Sequence, residues 1–114
     1  MSQVLPIMIA AKALDGLSMR MTAIAQNLAN VNSPRFQPVK VDFEAALSRA
    51  AAQGPEAVKS LTFDFVADKA FGPGDDRRID LQIADAAATA SKYMSLVDLI
   101  GRRMAIHQAL TGGR

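Results

Sequence analysis

Few residues in this chain could carry bond-making chemistry. Histidine occurs once, at His107, cysteine is absent, and the 114 residues hold no H-E-x-x-H run and no phosphate-cradling glycine loop. No two carboxylates stand at a spacing that suits paired acid–base work. Gly72-Pro73-Gly74 runs into charge rather than into a helix start, which makes it a turn. His107 falls near the end of a helical pattern, where an imidazole suits the negative end of the dipole. The expectation is no enzyme, no bound metal or cofactor, and no small-molecule substrate.

The sharper polar signal is a pair of amides. Asn27 and Asn30 lie three residues apart, so on a helix they share one face. Buried between subunits, such amides would bond neighbouring backbone and fix register; otherwise Asn30 serves the helix end and Asn27 is solvated. Met8, Met19, Met21, Met94 and Met104 recur at helical spacing and read as packing. Arg102-Arg103 suit the last turns of a helix. A net charge of +2, evenly spread, is no nucleic-acid footprint.

The element that must position these residues is the first. Ile7, Ala10, Leu14, Leu17, Met21, Ile24, Leu28 and Val31 alternate steps of three and four, which is the seam of a coiled coil. A helix over 7–32 would be roughly 39 Å long, too narrow to bury its own stripe, so it needs a partner. Ser2 can cap it, Pro6 is tolerated in its first turn, and Ser33-Pro34 ends it. Gly16 costs about 1 kcal/mol against alanine inside a helix; it is either merely tolerated or admits a close neighbour.

At the other end Ile79, Ile83, Ala86, Ala90, Tyr93, Val97, Ile100, Met104 and His107 repeat the alternation. A second long helix over about 80–110, stopped by Gly112-Gly113, would present a matching seam, with the Tyr93 ring packed and its hydroxyl wet. Leu96, Leu99, Ile106 and Leu110 widen its stripe beyond one partner, which predicts a second contact surface. Between the two, Arg35–Lys40 reads as an extended connector, and Asp42 as the cap of a short helix to about Ala52 with Phe43, Ala46, Leu47 and Ala50 on one side. Gln53-Gly54-Pro55 ends that helix. Leu61–Val66 alternates like a strand and could pair with Ile79-Asp80-Leu81 across the loop 71–78. The span 51–78 is expected to be the most mobile. The fold class is mainly α: long N- and C-terminal helices (1–33 and 79–114) packing as a coiled coil or bundle in an assembly, around a short irregular or β-containing middle (34–78).

The run Ile24-Ala25-Gln26-Asn27-Leu28-Ala29-Asn30-Val31-Asn32-Ser33-Pro34-Arg35-Phe36 resembles the signature of the bacterial flagellar rod and hook proteins, whose first helix ends in A-N-x-x-T-P-G-[YF]. Ser33 stands for the threonine and Arg35 for the glycine. Val41-Asp42-Phe43-Glu44-Ala45-Ala46-Leu47 is similar to the run that follows in proximal-rod members of that family. Ile79-Asp80-Leu81-Gln82 is similar to their V-D-[LI]-E, with glutamine for the acid. The resemblance covers about 7–47 and 79–114. It implies a structural subunit of the basal-body rod that polymerises through its terminal helices and transmits torque. The implied partners are further copies of itself, other rod subunits, the export gate and the membrane ring.

The assembly interface this implies comprises Ile7, Leu14, Leu17, Met21, Ile24, Asn27, Leu28, Asn30, Val31, Ser33, Pro34 and Phe36, with Ile83, Tyr93, Val97, Ile100 and Met104. Lys12, Asp15 and Arg20 interrupt the first apolar run and no basic region precedes it, so export to the basal body without a cleaved leader is expected. No stretch approaches the ~18 uncharged apolar residues of a membrane span. The alternatives are a small helical-hairpin adaptor or export chaperone forming a discrete oligomer, and a peripheral membrane binder using residues 3–21. The isolated chain is expected to order at its ends only in assembly.

Overall fold

The computed structural model describes residues 4–75 and 77–112; the expected Ser2 cap and Gly113 lie outside them. In chain order the elements are α1 Val4–Ala29, β1 Val39–Lys40, α2 Glu44–Gln53, α3 Pro55–Ser60, β2 Val66–Ala67 and α4 Arg78–Leu110. Helices α1 and α4 run antiparallel as a long hairpin, and the middle of the chain packs against one side of it. The protein is mainly helical, as the periodicities predict, with two small strands in its middle.

Helix α1 ends at Ala29, three residues short of the end expected at Ser33-Pro34. Asn30 serves the end twice, its backbone N–H and its Nδ2 both donating to the Gln26 carbonyl, at 3.1 and 2.9 Å. Two tight turns follow, closed by Ser33 N–H to Asn30 O and Phe36 N–H to Ser33 O. Among the described residues no non-glycine has a positive φ. Arg35 therefore occupies the glycine position without left-handed backbone.

The middle departs from expectation in three places. The residue before α2 is Phe43, not Asp42, and it offers no side-chain cap; Asp42 instead pairs with Lys40 at 3.2 Å. Gly54, at φ 111°, closes α2, and Pro55 at once opens α3 as its first residue. The proline that reads as a stop is equally a favoured start, since the first N–H of a helix has no acceptor to lose. Leu61–Phe65 form no strand. The two-stranded ribbon is β1 with β2, antiparallel, with Val39 opposite Ala67 and Lys40 opposite Val66. Ile79–Leu81, the expected strand partner, is the first turn of α4. Asp75 starts that helix early: its Oδ1 accepts from the Arg77 N–H at 2.9 Å and its carbonyl from the Arg78 N–H at 3.3 Å. The alternation over 61–65 is followed only in part, because Phe63 is drawn onto Phe43 while Phe65 stays exposed.

The core is built by α1 and the middle. Leu17, Ala23, Val41, Phe43, Leu47, Ala50 and Val58 form its buried cluster, and from α4 only Leu96 packs against it, partly buried. The buried residues of α4 are Arg78, Gln82 and Thr89, all polar. The seam expected of α4 is turned inward only in part: Ala86, Ala90, Ile100 and His107 are half-buried, whereas Ile79, Ile83, Tyr93, Val97 and Met104 are exposed.

Candidate functional site

Three arrangements with polar groups tie α1 to the rest of the chain, two to its middle and one to the start of α4. The first surrounds Gly16. A Cβ at that position would lie 2.4 Å from Cγ of Phe43 and 2.7 Å from both Cδ atoms, so the ring rests directly on the helix backbone. Close approach, not mere tolerance, explains the glycine. One turn on, the Arg20 guanidinium lies over the same ring, 4.6 Å from its centroid, a cation–π contact. It donates to both Glu44 oxygens, at 2.8 and 2.7 Å, and to the Val41 carbonyl at 2.8 Å. That bidentate bond lowers the Glu44 carboxyl below its ordinary 4.5 and raises Arg20, against the opposing cost of burial in both cases. Phe63 completes the cluster at 5.6 Å between ring centroids.

The second arrangement is Asn27, 2% exposed. Its Nδ2 donates to the Val39 carbonyl at 2.8 Å and its Oδ1 accepts from the Val39 N–H at 2.9 Å. Gln37 acts similarly nearby, its Nε2 within reach of the carbonyls of Asp68 (2.9 Å), Phe71 (3.0 Å) and Pro38 (3.2 Å). The third lies at the turn of the hairpin. Arg78 donates through Nε to the Asp75 carbonyl at 2.9 Å and through Nη2 to the Val31 carbonyl just past α1. A cation there suits the negative end of α1. Arg77, beside it, bonds the Asp75 carboxylate and holds it down to about 2.

The residues expected at an interface fall into three groups. Leu17, Ile24 and Asn27 are buried within the single chain. Asn27 was expected between subunits or in solvent; its amide is instead fully engaged by Val39. Ile7, Leu14, Leu28, Asn30, Val31, Phe36 and Ile100 are half-buried along the hairpin. Met21, Ser33, Pro34, Ile83, Tyr93, Val97 and Met104 are exposed; Met21 and Tyr93 meet in an apolar hollow of about 310 Å³ with Ser18, Ala90 and Met94. Sequence reasoning missed Arg20, Gln37 and Lys12, whose Nζ reaches the Leu61 carbonyl at 2.9 Å just beyond α3. The available signal was that Lys12 and Arg20 interrupt the apolar run of α1, and it does not say which backbone will come near.

Among the described residues no three His, Cys, Asp or Glu side chains cluster as a metal site would, and no helix is long and apolar enough to cross a membrane. The geometry defines a helical scaffold with a large exposed apolar surface. No family model matches the chain. Over 42 residues it is 52% identical to the flagellar basal body rod protein FlgB of Borrelia hermsii, a stretch that is 37% of this chain and 31% of that protein.

Proposed function

We propose that the chain is a structural, non-catalytic subunit of the bacterial flagellar basal-body rod, assembling with copies of itself and with other axial proteins through α1 and α4. The similarity to a rod protein carries this reading. The exposed apolar residues of α4 support it, because a helix with large side chains on its outer faces needs neighbours to cover them. Further elements of the reading are a place in the basal body, transmission of torque, and contact with the export gate and membrane ring. A division of labour in which 1–33 and 79–114 form an inner layer and 34–78 lies outside it also belongs to it.

Basal bodies purified from the bacterium that makes the protein are expected to contain it, and a strain lacking its gene is expected to build membrane rings without a rod. Normal flagella in that strain would overturn the reading. Replacing Leu17 or Ile24 with glutamate is a poor assay of assembly, since both are buried in the single chain and a charge there unfolds it.

A further inference from the structure

The outer surface of α4 carries two apolar ridges, not one. Ile83, Met94, Val97 and Met104 form the first; Leu99, Ile106 and Leu110, near the C-terminal end of the helix, form the second. At about 100° per residue, Val97 and Leu99 point about 200° apart, on opposite flanks of the helix. Asp80, Asp98 and Arg102 stand between them on the exposed back. The first ridge borders α1 on the side away from α2: Ala90, Tyr93 and Met94 meet Ser18 and Met21 there, whereas Ser91, Lys92, Ser95 and Leu96 face Phe43 and Glu44 across a separate hollow. The wall that α1 gives this open face is low, formed by Ala11, Ser18, Thr22, Ala25 and Ala29, all exposed. A low wall beside a high ridge makes a groove that fits a helix.

We propose that this groove receives the second ridge of α4 from another copy of the chain, so that copies join head to tail. The occupant follows from the two flanks. A two-fold dimer closing over the groove would leave Leu99, Ile106 and Leu110 bare, whereas seating that ridge in the next copy's groove covers both surfaces with one contact. Two different patches joined in this way build an open filament, or a ring where the rotation between copies closes. The contact extends over the three turns from Leu99 to Leu110, about 16 Å of helix. This rests on the rod-subunit reading and supplies the contacting faces.

The test uses two full-length variants at strongly exposed positions. Met94, 71% exposed, is changed in Met94→Glu and Leu110, 73% exposed, in Leu110→Glu, each blocking one surface and leaving the other intact. Wild type is expected to form concentration-dependent oligomers by light scattering, each variant alone a monomer, and an equimolar mixture a 1:1 dimer of twice the monomer mass. A mixture that stays monomeric while wild type assembles would overturn the head-to-tail pairing and leave the rod reading standing. A wild type that stays monomeric would overturn the pairing of copies, while the rod reading stands or falls with the deletion strain. Circular dichroism checks that each variant keeps its helices; should one lose them, Val97→Lys and Ile106→Lys repeat the experiment. As a second readout, the chain has no cysteine, so Ser18→Cys and Ile106→Cys proteins are expected to cross-link when mixed and not when separate. Equal cross-linking of Ser18→Cys with itself would point to a two-fold contact and overturn the proposal.

Discussion

Helices α1 and α4 are both long and both carry a three–four apolar repeat, yet they sit oppositely in the molecule. Helix α1 buries Ala10, Leu17, Ala23 and Ile24, whereas α4 buries Arg78, Gln82 and Thr89 and turns its large apolar residues outward. The difference lies in what surrounds each helix. The middle of the chain wraps α1 with Val41, Phe43, Leu47 and Val58, while α4, among the described residues, packs chiefly along α1 and reaches that core through Leu96. Apolar periodicity identifies a helix and an apolar face; it does not say whether that face will meet the same chain or another.

The comparison predicts a graded set of stabilities. Phe43→Ala, on the α1 side, is expected to cost about 3–5 kcal/mol in urea denaturation through loss of a buried ring, while Val97→Ala on α4 is expected to stay within ~0.5 kcal/mol. Equal losses at the two positions would erase the contrast. Asn27→Ala is expected to cost about 2 kcal/mol or more, because the Val39 N–H and carbonyl lose their partner together; an unchanged midpoint would mean that water replaces the amide. Gly16→Ala is expected to destabilise by about 1–2 kcal/mol, the overpacking against Phe43 exceeding the roughly 1 kcal/mol gained in helix propensity. A more stable variant would show that the ring moves aside easily.

The smallest effect concerns Glu44. Its carboxyl is lowered by Arg20 in the folded chain, so the contribution of the pair is complete above the ordinary value of 4.5 and disappears as pH falls below it. Glu44 is largely exposed, and the loss is expected to be roughly a few tenths of a kcal/mol. Glu44→Gln should flatten that part of the pH profile. An undiminished slope would assign it to other carboxylates.

Much of the helical architecture was legible in advance. The three–four steps located α1 and α4, and Phe43, Leu47 and Ala50 were read onto the inner side of α2. What was not legible depended on residues distant in the chain. Asn27 meets Val39 only because the turns after α1 bring the backbone back, and nothing local marks it as buried. The strand expected at 61–66 yielded to Phe63 stacking on Phe43, and its supposed partner at 79–81 yielded to Asp75, whose acceptor groups begin a helix there. Of the expected interface, the positions on α1 were partly claimed by the chain's own core, while most of those on α4 were left uncovered.

The bond between Asn27 and Val39 has one more consequence. In an antiparallel strand the N–H and carbonyl of one residue face the same edge, and those of its neighbours face the other. Pro38 gives its carbonyl to Asp68 on the β2 side, so Val39 addresses the rim that would otherwise be open. A single amide side chain stands there in place of a third strand. A bare rim invites stray pairing with passing polypeptide, and Asn27 blunts this one at its centre.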